Sequence, residues 1–298
     1  MARIPVRWKL AGLVRRFMPD VRGRDRILSL LTRDIPPPSG LTTGQFGPGL
    51  RYEFDLTTDT ELPNLFFLQY EKPSLAPILE ATLRPGDRMY DIGANIGIYS
   101  LWGSRLVGEG GRVFSFEPVP NTRAMLERLI DQNGCSNIVV IPNAVGAAAG
   151  QIRLQVLPGI SGLSSATRPL EGATDIEVES ISIDDFIRDN PSPTVVKIDV
   201  EGFELEVLRG MQATIEEHRP LVISEMIPTE GSSERPVKEL LDIAGEHGYE
   251  VFNLDRRGLT NLTTELTPTT NVLLAHPEQH EDELRRLSAL KYRRNQTL

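Results

Sequence analysis

The segment Met89 to Ser100, MYDIGANIGIYS, runs a short apolar strand into a glycine turn and then into a helix. Its Asp91, Gly93 and Gly97 form D-x-G-x-x-x-G, a junction where missing side chains let a ligand lie against the backbone and the helix N-terminus. Such a junction belongs at the carboxyl edge of a parallel sheet, so the remaining chain must supply further strands and covering helices. The rival pattern is the dinucleotide fingerprint G-x-G-x-x-G. Here Asn95 stands where its second glycine would admit a pyrophosphate, which disfavours that ligand.

A second strand, Gly111 to Phe116, ends in Glu117, 26 residues after Asp91. A carboxylate there accepts from both hydroxyls of a ribose, at about the 20-residue spacing of a βαβ unit. Asp91 beside Gly93 is placed to take the ammonium end of an amino-acid ligand, directly or through water. A nucleoside joined to an amino acid is S-adenosylmethionine more readily than NAD. The plainer alternative makes Asp91 a helix cap and Glu117 a solvated loop residue.

The 298 residues are 40% hydrophobic and 24% charged, with no apolar run near the roughly 18 residues of a membrane span. A soluble, cytoplasmic protein is expected, because the single Cys135 excludes an internal disulfide. The four histidines, His218, His247, His276 and His280, lack metal-finger spacing. The net charge of −9 is uneven: residues 1–34 hold nine Lys or Arg against three Asp, leaving the remainder at −15. An acidic body argues against nucleic acid. Trp8, Leu10, Leu13, Val14 and Phe17 recur at helical spacing beside Arg15 and Arg16, which allows three roles: docking on a membrane surface, docking on a partner, or packing on the chain's own domain.

The prolines of Ile35 to Gly40 mark a hinge, Leu50 to Leu56 alternates as a strand, and Leu62 to Tyr70 is expected near the mouth of the site. Pro73 to Leu83 and Thr122 to Asn133 read as helices. Asn137 to Pro142 reads as a third core strand reaching Asn143 and Ala144, where an adenine would lie. Asn143 suits the adenine edge, or forms a turn. Gln151 to Leu157 and Glu177 to Ile183 alternate as strands, and Pro158 to Ala166 has the small residues of a lid. Val195 to Val200 is a strand buried on both faces with Asp199 and Glu201 at its carboxyl end. His218 to Glu225 is another, and Tyr249 to Leu254 and Asn271 to His276 read as a closing antiparallel pair. From Arg285 a terminal helix is expected to fray. The expected fold is therefore α/β: a mostly parallel seven-stranded sheet with an antiparallel edge, helices on both faces, and an N-terminal extension. Residues 1–70 form that extension, with a substrate-side cap as one role; 71–280 form the main domain and 281–298 a tail.

With these residues placed, the chain resembles the FkbM family of S-adenosylmethionine-dependent methyltransferases of the Rossmann-like class I, over about residues 65–276. The motifs are Arg84 to Asp87 (RPGD), Asp91 to Gly97 (DIGANIG), Phe116 to Pro118 (FEP), Lys197 to Gly202 (KIDVEG) with Glu204, and Val207 to Gly210 (VLRG). The resemblance implies methylation of hydroxyl oxygens on sugars, polyketides or other small natural products. It also implies that Asp91, Gly93, Asn95, Gly97, Glu117 and Asn143 serve the cofactor site. Phe203 is bulkier than the small residue common in the family, and residues 1–60 lie outside the match.

An alkyl hydroxyl is a poor nucleophile, so a base must assist in-line transfer, and Asp199 and Glu201 are the candidates. Their alternative is structural, as helix-capping groups. Lys197, inside a buried strand, calls for an internal carboxylate such as Asp91. Glu225 with Asp199 and Glu201 would offer oxygens to Mg²⁺, but carboxylates alone do not establish a metal and none is expected. Three rival readings are transfer to nitrogen, an NAD-dependent oxidoreductase, and a non-catalytic S-adenosylmethionine-binding partner. Acceptor choice is expected to lie in Gly44 to Pro73, Ser161 to Ser165 and Arg256 to Thr270.

Overall fold

The computed structural model describes residues 3–18, 24–46, 49–57, 62, 75–159, 164–166, 170–226, 234–255, 258–262 and 270–290. The chain opens with two helices, α1 (Val6–Phe17) and α2 (Arg24–Thr32), that pack on each other around Trp8, Ala11 and Leu28. A hairpin, β1 (Leu41–Phe46) and β2 (Leu50–Asp55), follows with Leu41 opposite Asp55. Leu50, Phe54, Leu56 and Leu62 are buried in the core. Most of the Leu62 to Tyr70 stretch expected at the mouth lies outside the described residues.

Helix α3 (Ala76–Thr82) leads to a turn in which the Asp87 carboxylate accepts from the Arg84 N–H at 2.6 Å. That turn delivers the chain into β3 (Arg88–Ile92). Helix α4 (Ile98–Val107), β4 (Arg112–Phe116), α5 (Pro120–Asn133) and β5 (Ile138–Ile141) continue the alternation. Pro120 occupies the start of α5, where its missing N–H costs no helical bond, and Gly134 closes it in the left-handed region at φ 61°. The end of α5 also holds the hairpin: the Asn133 amide exchanges two 2.8 Å bonds with the Arg51 backbone.

Four strands then leave the main sheet. β6 (Ala144–Val145), β7 (Gly150–Val156), β8 (Ser164–Ser165) and β9 (Thr174–Ile181) form a separate sheet in the order β6-β9-β7-β8. The first half of the Pro158 to Ala166 lid falls largely outside the described residues. Short α6 (Ile183–Phe186), β10 (Val195–Ile198), α7 (Glu204–Arg209), α8 (Gln212–His218) and β11 (Leu221–Met226) resume the core. Helix α9 (Glu234–Glu246), β12 (Glu250–Asp255), β13 (Gly258–Asn261), β14 (Thr270–Ala275) and α10 (Glu281–Ala289) complete the chain.

The main sheet has the order β13-β12-β14-β11-β10-β3-β4-β5, parallel from β11 to β5 and antiparallel beyond. The expected α/β architecture and the antiparallel β12–β14 pair are present, and among the described residues the main sheet has eight strands rather than seven. The additional strand, Gly-Leu-Thr-Asn, is too short and polar to register as a hydrophobic repeat; backbone pairing with β12 makes it a strand. Parallel pairing buries both faces. Met89, Val113 and Val195 face Leu101 and Trp102 of α4, while Tyr90, Phe114 and Val196 face the α6 to α9 side. The helix expected to fray from Arg285 is docked through Ala289. Leu287 is buried and the Arg286 guanidinium donates to the Ala81 carbonyl at 2.8 Å.

Candidate active site

Sheet register decides what surrounds Asp91. It lies opposite Lys197 on one side and Ser115 on the other. Because in-register residues share a face, these three side chains form a row beneath the start of α4. The Lys197 ammonium stands 3.2 Å from Asp91 Oδ1 and donates to the Gly93 carbonyl at 3.0 Å. The Ser100 hydroxyl donates to Asp91 Oδ2 at 2.6 Å and accepts from Ser115 at 2.8 Å. Burial disfavours the Lys197 charge, yet the Asp199 and Asp91 carboxylates outweigh it and hold its pKa above the ordinary lysine range. Lys197 thus has the internal partner its position called for, and its ammonium is locked in place.

Beyond β3 the backbone takes left-handed turns at Gly93 (φ 74°), Asn95 (51°) and Gly97 (90°). The Gly93 and Ala94 N–H groups both donate to the Phe116 carbonyl, at 3.1 and 3.0 Å. A Cβ on Gly93 would lie 1.9 Å from the Asp199 carbonyl oxygen, so a side chain there is excluded by the neighbouring strand. Gly97 instead opens α4 and meets Leu126, which serves helix packing. Asn95 has a sharper local peculiarity: its Oδ1 is buried and accepts no hydrogen bond. An acceptor left so is costly unless a ligand supplies a donor.

Glu117 follows β4 and is buried. Its Oε2 accepts from the Asn95 N–H and its Oε1 from the Val119 N–H, both at 2.9 Å, so the carboxylate is fixed while lone pairs remain for further donors. Burial pushes its pKa up to about 7, opposed by those two backbone bonds and by Lys197 and Arg123.

The adjoining wall is the end of β10. Asp199 Oδ2 lies 3.2 Å from the Lys197 ammonium, Glu201 sits in the left-handed region at φ 54°, and Glu204 begins α7. Glu204 Oε1 accepts from the Gly202 N–H at 2.9 Å, which ties the turn to the helix; burial first, then Asp199, raise its pKa to about 7 against backbone bonds. At the end of β11, burial together with Asp199 and Glu201 pushes Glu225 up to about 7 despite Lys197. Among the described residues, no three His, Cys, Asp or Glu side chains are grouped to hold a metal ion.

Between these walls lies a cleft of about 770 Å³, counting its open mouth. Of the residues singled out in the sequence, Gly93, Asn95, Glu117, Asn143, Ala144, Asp199 and Glu201 line it. Asp91 and Gly97 do not: Asp91 Oδ2 accepts from Ser100, and its Oδ1, 3.2 Å from the Lys197 ammonium, is buried without a hydrogen bond. Phe203, singled out for its bulk, also lines the cleft, while sequence reasoning missed the apolar lining of Ile152 and Leu154. The alternation of β7 puts Ile152 and Leu154 on one face, but only the second sheet brings that face to the cleft.

The family model described as "Methyltransferase FkbM domain" matches residues 91–251. The chain is 29% identical over 167 residues to hexuronic acid methyltransferase AglP of Haloferax volcanii, covering 55% of this chain and 65% of that protein. It is 27% identical over 201 residues to 31-O-demethyl-FK506 methyltransferase FkbM of Streptomyces tacrolimicus, covering 57% and 75%. The crystal structure of methyltransferase FkbM from Methylobacillus flagellatus aligns with 90% of this chain and 58% of its own, at 18% identity and a TM-score of 0.41.

Proposed function

This chain belongs to the methyltransferase FkbM family, and from that membership we propose that it moves a methyl group from S-adenosylmethionine to a hydroxyl oxygen of a sugar or small natural product. When bound, S-adenosylmethionine supplies an electrophilic methyl on a sulfonium centre. The residues present suit it: Glu117 offers spare lone pairs to two ribose hydroxyls, and Asn95 Oδ1 is an acceptor awaiting a donor. Asn143 and Ala144 receive the adenine edge, with Ile152 and Leu154 as apolar cover. Phe203, whose ring lies by Gly146 and Ile152, adds to that cover.

Asp199 takes the acceptor's proton, oriented by the Lys197 ammonium at 3.2 Å. Glu201 stands beside it on a turn held by Glu204. Asp91 keeps the ammonium charged and in place, so it acts on the site through Lys197. The observation that carries the reading is Glu117, a buried carboxylate fixed by two backbone N–H groups on the lining of the cleft. The names of the two relatives, for a hexuronic acid and for 31-O-demethyl-FK506, support an oxygen acceptor.

The test is transfer from methyl-labelled S-adenosylmethionine to a panel of glycosides, uronic acids and hydroxylated polyketides, with mass-spectrometric location of the label. Label on an ether oxygen supports the proposal. Label on nitrogen, or tight cofactor binding with no transfer to any acceptor class, overturns it.

A further inference from the structure

Every large apolar side chain that the described residues expose lies between Val6 and Leu41: Val6, Leu10, Leu13, Ile27, Leu30 and Leu41. The spacing of Val6, Leu10 and Leu13 sets them in one stripe on α1, opposite the buried Trp8 and Ala11. The stripe does not face the protein: Val6 is 80%, Leu13 52% and Leu30 of α2 61% exposed. Two contacts join the pieces. The Arg7 guanidinium donates to the Leu30 carbonyl, bringing the end of α2 to the start of α1. Paired bonds between Arg3 and Ser39 set Leu41 near the same end.

This apolar surface is ringed with positive charge. Arg3, Arg7, Lys9, Arg26 and Arg33 are exposed around it, and residues 1–34 carry nine basic against three acidic side chains, on a body of charge −15. A second copy meeting this face through a two-fold axis would set like charge on like. An anionic bilayer satisfies both properties at once: leucines enter the headgroup boundary while Lys and Arg meet the phosphates. The acidic body is repelled by the same surface, so the helix pair is the end that arrives first.

We propose that α1 and α2 form a docking surface for an anionic lipid bilayer, holding the enzyme at the membrane with its acidic body toward water. None of these residues lines the cleft, so the proposal stands apart from the transfer reaction. Among the described residues no helix is long and apolar enough to cross a membrane; the contact is with the surface.

The experiment is co-sedimentation of the full chain with phosphatidylcholine vesicles and with vesicles of phosphatidylcholine mixed with phosphatidylglycerol. Binding to the mixed vesicles, at least about tenfold weaker without phosphatidylglycerol or at high salt, is expected. Leu10→Asp with Leu30→Asp should remove it while leaving the melting temperature unchanged, which separates lost docking from lost folding. Lys9→Glu with Arg26→Glu should weaken it without touching the apolar stripe. No binding by the parent chain, or equal binding by the Asp variant, overturns the proposal. So does a dimer in sedimentation velocity that the Asp variant dissolves, which would assign the face to a second copy.

Discussion

Two neighbouring turns line the cleft, and both leave a strand through a left-handed residue that is not glycine: Asn95 at φ 51° and Glu201 at φ 54°. The first turn is tied by backbone bonds, with Gly93 and Ala94 on Phe116 and Asn95 on Glu117. The second presents Asp199 and Glu201 to the cleft and is tied by the Asp199 N–H on Ile92, the Lys197 ammonium on Asp199 and the Glu204 bond to Gly202. One is a cradle whose shape is set before any ligand arrives. The other sets two carboxylates on the lining of the cleft. Lys197 joins them, since its ammonium touches Gly93 and Asp91 on one side and Asp199 on the other. On the proposed reading the first turn holds the cofactor and the second takes the acceptor's proton beside it.

The largest expected effect comes from breaking the link. Lys197→Met leaves Asp91 buried without its counter-ion and should cost about 3–5 kcal/mol of stability, read by urea unfolding. Gly93→Ala comes next, with a cost of about 3 kcal/mol from a clash with backbone that cannot withdraw. Gly86→Ala is its control: φ is similarly positive at 94° but nothing lies within 4 Å of the added carbon, so only strain of about 1 kcal/mol is expected. Equal losses at the two glycines would remove the close approach from the account.

The pH dependence is shared by the two walls, since each carries a buried carboxylate of raised pKa, Glu117 on one and Glu204 on the other. Glu117, Glu204 and Glu225 have folded pKa values of about 7, above the ordinary carboxylate value. Between those values the folded chain binds more protons than the unfolded one, so their contribution to stability falls as pH rises toward 7 and levels above it. Unfolding of the ligand-free protein should show stability rising as pH drops from about 8 to 6, with a smaller rise in Glu117→Gln. Cofactor affinity should move the opposite way, because protonated Glu117 loses acceptor capacity. The smallest effect is at Asn95→Gly. Glycine relieves the left-handed strain, which raises stability by up to about 1 kcal/mol, while loss of the side-chain acceptor weakens cofactor binding several-fold in calorimetry.

Much of the cradle was legible from sequence because its signals are local. Glycines at fixed offsets, a strand ending in Glu117 and Asp199 beside Glu201 all encode their geometry within a few residues. Lys197 announced a buried partner by its cost alone. What stayed hidden depends on distant pairing. Sheet register put Ser115 and Lys197 beside Asp91. The second sheet turned Ile152 and Leu154 toward the cleft, and the polar strand β13 exists through backbone bonds that no side-chain repeat records. The exposed stripe on α1 follows the same rule: periodicity showed an apolar face, but only packing tells that Trp8 and Ala11 point inward while Val6, Leu10 and Leu13 do not.

The division of labour between the two walls is tested most directly by calorimetric titration of S-adenosylmethionine into the parent protein, Glu117→Ala and Asp199→Asn. The account expects the parent to bind, Glu117→Ala to bind about 10–100-fold more weakly through loss of charge-assisted hydrogen bonds, and Asp199→Asn to stay within about threefold of the parent. Equal losses in the two variants, or no binding by the folded parent, would contradict it.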